Sequence, residues 1–424
     1  MSPDSHRHPA GLATLFLTEV WERLGFYTLM AVLTLHMDKE MGWSDGTKGM
    51  VYGLFLAGCY FFPLLGGWLG DRILGQITTV RLGAALMTLG YIALGLSSRA
   101  QAALFVSGLC LIALGTGILK VNISVLVGNL YADRLHLRDA GFNIYYMGVN
   151  IGAAAAPIAA TALGFWSGGY RASFWVGAAG MLLAQAVFYR GRARLVETDG
   201  SGAAEEGAAQ AMSSGESRRR VLVLLGLFAV AALFWTGFYQ NGFAMTLFAE
   251  RSTRAVPLMR PETYQFFQPA FILVFTPVLL GLFTLLRARG AEPSTPRKIL
   301  LGMLVMGLAM LVMSWASHRG GDLDRPLMSP AWLIGAYGII TVAEVLISPL
   351  GQSFVTKVAP PRLRGRMMGC WFAATATGGY ASGLIGSFYG RMPHHQYYLL
   401  LVGLLACSAL LVLLQLSRLE RYAA

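Results

Sequence analysis

The sequence predicts an all-α membrane protein: twelve transmembrane helices in two six-helix bundles, with both termini in the cytoplasm. Three observations support this fold class. Apolar stretches of about 20 residues, the length that crosses the hydrocarbon core of a bilayer, recur twelve times in the chain. Only 13% of the 424 residues are charged, about half the share found in soluble proteins. A polar segment, residues 191–218, divides the apolar stretches six and six.

The twelve predicted spans follow one another with short connections. They are residues 11–36, 49–70, 77–97, 101–130, 140–165, 172–190, 220–249, 262–287, 297–316, 330–356, 364–390 and 394–417. The segment 191–218 is rich in Gly, Ala, Ser and Glu, which is typical of a flexible linker. We therefore predict an N-terminal bundle over residues 1–190 and a C-terminal bundle over residues 219–424. No residue-level repeat relates the two halves.

Basic residues determine the predicted orientation. The even-numbered connections carry more arginine and lysine than the odd-numbered ones, as Arg190, Arg192 and Arg194 illustrate. Cytoplasmic loops of membrane proteins are enriched in these residues, so the even connections and both termini are expected in the cytoplasm. The net charge of +12 then reflects topology and contact with anionic lipid, and nucleic acid is not an expected partner. The N-terminal segment 1–9 lacks the pattern of a cleavable signal.

The sequence shows no pattern typical of catalysis or metal binding. The four cysteines lie in apolar stretches without CxxC or metal-ligand spacing, so they are interpreted as small buried residues. The predicted spans contain no Ser/His/Asp grouping, and the chain contains no HExxH motif. The seven histidines fall mostly in the N-terminal tail and in loops, as His394 and His395 do. We predict that the protein is not an enzyme and has no catalytic residue, no cofactor and no metal.

The first predicted span contains three charged residues within five positions: Glu19, Glu22 and Arg23. An isolated charge at bilayer depth costs roughly 2.5–3.5 kcal/mol on insertion scales. Glu19 lies one helical turn from both Glu22 and Arg23, so the two acids and the base can share a salt bridge and a proton. This arrangement, within a chain of six plus six spans, predicts a proton-coupled carrier.

Two further motifs place charge near the ends of spans. Asp71 and Arg72 follow the second span within the glycine-rich run Gly66–Gly75; they are expected to clamp helix ends, with a solvated pair as the alternative. Lys120 lies toward the end of the fourth span and is interpreted as the only one of the five lysines inside a span. We expect a buried ammonium that attracts a carboxylate, with a lysine that snorkels to the surface as the alternative.

These motifs together resemble those of the proton-dependent oligopeptide transporter family of the major facilitator superfamily. In chain order the matching segments are Glu19-x-x-Glu22-Arg23, the glycine-rich run, Gly115–Asn122 with Phe142–Gly152, Phe234–Gly242, Glu344–Gly351 and Gly369–Phe372. The resemblance extends from residue 19 to about residue 386. It implies the major facilitator fold and a proton-coupled symporter that imports di- and tripeptides by alternating access. It also implies a multi-pass protein of the bacterial inner membrane, expected to be monomeric.

The resemblance implies roles for individual residues. Proton coupling is expected of Glu19, Glu22, Arg23 and Glu344, and an interbundle salt bridge of Lys120 with Glu344. Substrate binding is expected of a set that includes both charged and aromatic side chains. This set is Arg23, Tyr27, Tyr60, Lys120, Asn150, Trp235, Tyr239, Gln268, Glu344, Ser348, Trp371 and Thr375. For the aromatic members, packing between helices is the alternative.

Some positions depart from the family pattern. Met30 stands where many members have arginine, Tyr239 stands where the family has glutamate, and Phe26 replaces a tyrosine. In many members the arginine of the first helix and the glutamate of the seventh helix form an ion pair. The periplasmic gate of this protein is therefore expected to close without that pair. Residues 191–218 are too short and polar for the two additional helices that many members carry between their halves.

Other functions remain open at this point. One alternative is a transporter of peptide-like natural products or drugs, including one that works outward. A second is a peptide sensor that does not transport, and a membrane-embedded enzyme is a more distant third.

Overall fold

The computed structural model describes residues 8–197, 213–360 and 363–423. These residues form fourteen α-helices, and the predicted all-α fold is confirmed. The helices are α1 (Gly11–Lys39), α2 (Asp45–Phe61), α3 (Pro63–Leu69), α4 (Gln76–Leu96), α5 (Ala102–Asn129), α6 (Leu135–Ser167), α7 (Arg171–Gly191), α8 (Ser214–Phe238), α9 (Ala244–Arg251), α10 (Phe267–Ala288), α11 (Thr295–Arg319), α12 (Pro330–Val358), α13 (Arg364–Gly386) and α14 (His394–Ala423).

Ten helical segments among the described residues are long and apolar enough to cross a membrane. They coincide with ten of the twelve predicted spans, and the first and eleventh spans are the exceptions. These two correspond to α1, with 29 residues, and α13, with 23 residues. The charges of α1 and the many glycines of α13 make both helices less apolar than the others. The cytoplasmic position of the termini stays a prediction.

Two of the predicted spans are interrupted helices. In the second span α2 ends at Phe61, α3 begins at Pro63, and a π-helical turn over Gly70–Leu74 follows. Proline is tolerated at a helix start because it lacks the N–H that would otherwise be unpaired there. The seventh span changes from α8 to a 3₁₀ turn over Tyr239–Gly242 and then to α9.

The helices belong to two compact units. The first unit comprises residues within Met1–Gly42 and Gly58–Ala204, and the second comprises residues within Trp43–Ala57 and Glu205–Ala424. In the first unit α1 packs against α6 and α7, and α4 packs against α5. In the second unit α11 packs against α12 and α14, and α8 packs against α13.

The sequence predicts one domain boundary, at the linker between the two halves of the chain. Most of the predicted linker, residues 191–218, lies outside the described residues, so the division at this linker stays a prediction. The structure adds a feature that hydropathy does not reveal, because residues 43–57 belong to the same unit as the second half of the chain.

A glycine determines how closely α6 approaches α1. A Cβ atom at Gly152 would lie 2.6 Å from the carbonyl oxygen of Val20 and 2.8 Å from the Cβ of Arg23. Real side chains do not tolerate such distances, so only glycine fits here. The contact lies directly beside the charged residues of α1. It therefore fixes the position of α6 relative to those residues.

The C-terminal end of α1 is held by an acid outside the helix. Glu40 Oε1 accepts a hydrogen bond from the backbone N–H of Tyr170 at 2.5 Å, and Glu40 Oε2 lies 3.3 Å from Nδ1 of His36. The His36 ring is buried between Phe105 and Phe174, with ring centroids 5.2 and 4.8 Å away. Burial by itself would raise the pKa of Glu40, but these polar partners lower that pKa to about 2.

Candidate functional site

The three charges of α1 form one buried cluster. Nε of Arg23 lies 3.2 Å from Oε1 of Glu19, and Nη2 of Arg23 donates to Oε1 of Glu22 at 2.7 Å. A second contact joins Nε of Arg23 to Oε2 of Glu22. All three side chains are at most 3% exposed. The structure therefore brings together the three residues that the sequence predicts as partners.

A tyrosine that the sequence analysis did not select completes this cluster. Tyr145 of α6 donates its hydroxyl hydrogen to Oε2 of Glu19 at 2.7 Å, and both residues are buried. Tyr145 precedes Gly152 by seven residues, which is two helical turns, so both residues lie on one face of α6. A signal was available in the sequence, because Tyr145 lies within the family-like segment Phe142–Gly152.

The acid–base cluster is suited to binding one proton. It contains two carboxylates, one guanidinium and one neutral hydroxyl, so its net charge is −1 when both acids are ionised. Adding one proton to either carboxylate makes the cluster neutral. An uncompensated buried charge is costly, and the Lys120 ammonium of α5, which interacts electrostatically with both carboxylates, reduces that cost.

An aromatic ring lies against the guanidinium of the cluster. The guanidinium carbon of Arg23 lies 5.1 Å from the ring centroid of Phe26, within the range of a cation–π contact. Tyr27 is half-buried, and its ring meets that of Phe26 edge-on at 5.6 Å. Phe26, one of the positions that depart from the family pattern, thus contacts the charged residue of the site through its ring.

Lys120 has accessible surface, but its ammonium interacts electrostatically with the carboxylates of Glu19 and Glu22, so its expected burial stays a prediction. The Lys120 side chain on α5 is exposed, with Nζ 5.7 Å from the ring centroid of Tyr60, which is half-buried. Asn150 is buried, and its Nδ2 donates to a backbone carbonyl one turn earlier in α6 at 2.9 Å. These three residues all belong to the first unit, and their expected roles in binding substrate stay predictions.

In the second unit, a neutral amide binds the predicted carboxylate of α12. Nε2 of Gln268 donates to Oε2 of Glu344 at 2.7 Å. Oε1 of Gln268 lies 3.5 Å from Nδ2 of Asn241, whose backbone carbonyl accepts from the hydroxyl of Tyr337 at 3.0 Å. The structure thus places Gln268 and Glu344 together. Their expected functions, and the predicted salt bridge of Glu344 with Lys120, stay predictions.

The predicted aromatic residues of α8 and its 3₁₀ extension form a stack. The rings of Trp235 and Tyr239 lie nearly parallel with centroids 5.4 Å apart. Both residues are less than 10% exposed, whereas Ser348 of α12 is half-buried. A stacked pair of this kind supplies a rigid apolar surface with polar edges.

Two predicted substrate contacts on α13 are buried in helix packing. Trp371 is 2% exposed, and a Cβ atom at Gly351 of α12 would lie 2.2 Å from its ring. Thr375 is 3% exposed, and its hydroxyl donates to the carbonyl of Trp371 at 3.1 Å. In this conformation both side chains stabilise the second unit.

The glycine-rich run after the second span is helical. Asp71 and Arg72 lie in the π-helical turn and are exposed, and their role as a clamp stays a prediction. The nearby connection between α3 and α5 is made by Asn122, whose Nδ2 donates to the carbonyl of Gly66 at 2.8 Å. A Cβ atom at Gly70 would lie 1.8 Å from Oδ1 of Asn122, so this position requires glycine.

Lys120 is not the only lysine inside a span, since Lys298 lies within the predicted span 297–316 and in α11. Lys48 of α2 is 0% exposed, and its Nζ lies 2.6 Å from Oδ1 of Asp45. Arg251 of α9 binds the same oxygen at 3.1 Å. For Lys48 the correction has a simple cause, because α2 begins four residues before the apolar stretch from which the span was predicted.

The fold and the acid–base cluster define a class of protein, a multi-pass membrane transporter. The profile of the Major Facilitator Superfamily matches residues 15–383. The chain is 31% identical to the peptide transporter YePEPT of Yersinia enterocolitica subsp. palearctica serotype O:3 (strain YE-P4), with 96% of this chain and 94% of that protein aligned. It is 27% identical to dipeptide and tripeptide permease A of Escherichia coli (strain K12), with 91% and 86% aligned.

Solved structures agree with this class. The crystal structure of the peptide transporter POT in complex with sulfate has a TM-score of 0.89 and 28% identity, covering 98% of this chain and 96% of that one. The chain belongs to the proton-dependent oligopeptide transporter family of the major facilitator superfamily. The family resemblance of the motifs is thereby confirmed.

Proposed function

We propose that this protein is a proton-coupled symporter that imports di- and tripeptides by alternating access, as a monomer, across a bacterial inner membrane. Membership of the proton-dependent oligopeptide transporter family supports the substrate class. The buried cluster of Glu19, Glu22 and Arg23, with its 3.2 Å and 2.7 Å contacts, is the observation that carries the proton coupling.

The coupling follows from the charge of the cluster. With both carboxylates ionised, one negative charge is uncompensated within the cluster itself, and one proton removes it. In the protonated state Arg23 remains paired with the ionised acid, while the other acid is neutral. Proton binding and release therefore change the electrostatic energy of α1 where it packs against α6. Through this change in energy, the proton gradient can drive a conformational change.

The substrate assignment rests on the charges at the two ends of a peptide. A di- or tripeptide presents one carboxylate and one ammonium group whatever its side chains are. We propose that Lys120 and Arg23 bind the carboxylate, that Glu344 binds the ammonium group, and that the aromatic residues contact the variable side chains. Charged groups of opposite sign recognise both ends, so affinity would depend little on the side chains.

The test is transport by purified protein in proteoliposomes. Replacing Glu22→Gln leaves Glu19 and Arg23 as a neutral pair that needs no proton. We expect this variant to lose uptake driven by an imposed pH gradient but to keep counterflow of radiolabelled dipeptide. The matched control is Glu292→Gln, which removes a carboxylate that pairs with Arg287 and Lys298 between α10 and α11. That control should retain both activities.

Each rival function has its own outcome in this assay. Concentrative, pH-driven uptake by Glu22→Gln at the wild-type rate would refute the coupling role. Failure of unlabelled di- and tripeptides to compete would favour a different, peptide-like substrate. Substrate binding without counterflow would identify a sensor.

A further inference from the structure

Three potential metal ligands meet at one end of the second unit. His318 lies in the last turn of α11, Asp322 in the turn that follows, and His395 in the first turn of α14. One ligand atom from each residue can be chosen so that all three atoms lie within 4.8 Å of one another. The two imidazole rings have centroids 5.2 Å apart and an interplanar angle of 69°. This grouping lies outside the residues assigned to transport.

The carboxylate of this cluster is held in place by the backbone. Asp322 has φ +56°, a left-handed conformation that aspartate tolerates better than most residues. Its N–H donates to the carbonyl of Ser317 at 3.0 Å, which anchors the turn to α11. Its Oδ1 accepts the backbone N–H of His395 at 2.8 Å, and its Oδ2 lies 2.5 Å from Nδ1 of the same residue. Asp322 therefore links the end of α11 to the start of α14.

The position of His395 is fixed independently. The hydroxyl of Ser314, one turn before His318 in α11, donates to the carbonyl of His395 at 2.9 Å. The start of α14 is thus attached to α11 by this bond and by Asp322, and the two helices pack along one another. Because the backbone is held at the end of α11 and at the start of α14, only side-chain rotations are needed for the three residues to coordinate an ion.

We propose that His318, Asp322 and His395 form a binding site for a divalent transition-metal ion, with zinc as the expected ion. Two imidazoles favour zinc, nickel or copper over calcium and magnesium, which prefer all-oxygen ligands. Two histidines and one carboxylate make a known zinc ligand set that leaves a further position for water. Ligand atoms of a tetrahedral zinc site lie about 3.3 Å apart, which small rotations reach from the present spacing.

Besides the types of ligand residue, two further features of the cluster suit a metal site. The ligating carboxylate already accepts a backbone N–H through its other oxygen, which is the kind of outer contact that orients metal ligands. His318 is exposed, so an ion can reach the site from solvent. Bound zinc would join α11, the turn and α14 at one point and stabilise the folded second unit, because an ion that binds only the folded state stabilises it.

The proposed site departs from the expectation from sequence that the protein binds no metal, and that expectation stays a prediction. His395 stands 77 positions after His318, and no short motif connects them. The site is also independent of the proposed function, since neither the acid–base cluster nor the residues expected to bind peptide belong to it. Failure of one proposal therefore leaves the other untouched.

The test is metal titration of the full-length protein in detergent after complete removal of any histidine tag. Co²⁺ is the probe, because its visible absorption reports coordination by imidazole and carboxylate, and Zn²⁺ is the competitor. We expect one Co²⁺ per protein, displaced by Zn²⁺ but not by Mg²⁺ or Ca²⁺. The variant His318→Ala, at an exposed position, should bind at least about tenfold more weakly, since even outer-shell partners change metal affinity about 10–100-fold.

The matched control is His136→Ala, which removes another exposed histidine from a different helix and should bind Co²⁺ as the wild type does. A second variant, Asp322→Asn, keeps an oxygen that accepts the His395 N–H but removes the ligand charge, and it should also weaken binding. Apparent melting temperatures in EDTA show that the variants are folded. Zn²⁺ should then raise the melting temperature of the wild type and of His136→Ala only. Absence of stoichiometric Co²⁺ binding, or wild-type affinity in both ligand variants, would overturn the proposal.

Discussion

Replacing Gly152→Ala is expected to lower both the thermal stability and the peptide uptake of the protein. The added Cβ atom would lie 2.6 Å from the carbonyl oxygen of Val20, whereas ordinary van der Waals contact begins at 3.4 Å. Relieving this overlap requires α6 to move away from α1 by about 0.8 Å. Overpacking of this size in a well-packed interior costs typically 1–3 kcal/mol.

The same displacement acts on the acid–base cluster. Tyr145 lies two turns before Gly152 on the same face of α6, and its hydroxyl is 2.7 Å from Oε2 of Glu19. A movement of about 0.8 Å lengthens this bond to about 3.5 Å, at which a hydrogen bond is nearly lost. Hydrogen bonds to charged groups contribute about 1.5–3 kcal/mol, so a substitution that touches no charge should still impair proton-driven uptake.

Two measurements check this reasoning. The apparent melting temperature should fall by several degrees, since each kcal/mol corresponds to about 2–4 °C for a domain of 150–250 residues. Uptake driven by a pH gradient in proteoliposomes should fall as well. The control is Gly281→Ala in α10, where an added Cβ atom meets nothing within 4 Å, so neither the melting temperature nor the uptake should fall. Wild-type stability and uptake in Gly152→Ala would show that α1 and α6 do not approach this closely.

Two further outcomes are expected. The pKa of Glu40 is lowered to about 2, so its ionised form stabilises the protein above its ordinary pKa near 4.5 and this contribution is lost as the pH falls toward 2. Glu40→Gln should therefore lower the melting temperature at pH 7, with a difference from wild type that narrows below about pH 4.5; a constant difference from pH 7 to pH 3 would contradict it. Lys120→Ala and Glu344→Ala should each weaken the apparent dipeptide affinity by about 10–100-fold, the equivalent of one charge-assisted bond of about 1.5–3 kcal/mol. Normal KM values in both variants would show that neither binds an end of the peptide.

The sequence predicts most of the fold because the bilayer imposes a simple rule of length and composition. Ten helical segments satisfy that rule in the structure. The helices α1 and α13 do not, although the count of twelve apolar stretches includes both of them. Hydropathy also misses the start of α2, where Lys48 and Asp45 are polar yet pack inside the second unit. A residue's polarity does not reveal whether a partner in another helix compensates it.

The candidate site is predictable where its geometry is local. Glu19, Glu22 and Arg23 lie within two turns of one helix, so helical periodicity alone brings their side chains together. The exposed position of Lys120 is not local, since it depends on which face of α5 the neighbouring helices cover. Sequence spacing carries no information of that kind.

The residues that sequence reasoning missed or undervalued share a physical property, which is that they are neutral hydrogen-bond donors. Tyr145 donates to Glu19 in the first unit, and Gln268 donates to Glu344 in the second, each at 2.7 Å from a different helix. Opposite charges are the partners expected for a carboxylate in a span, because isolated charges in a membrane are the most costly groups. A neutral donor stabilises a carboxylate without compensating its charge, so the net charge at that position still changes when a proton binds. If Tyr145 were a lysine, protonating Glu19 would leave an uncompensated cation, and the cluster would no longer alternate between −1 and neutral. The neutral partners thus preserve the charge difference on which the proposed coupling depends.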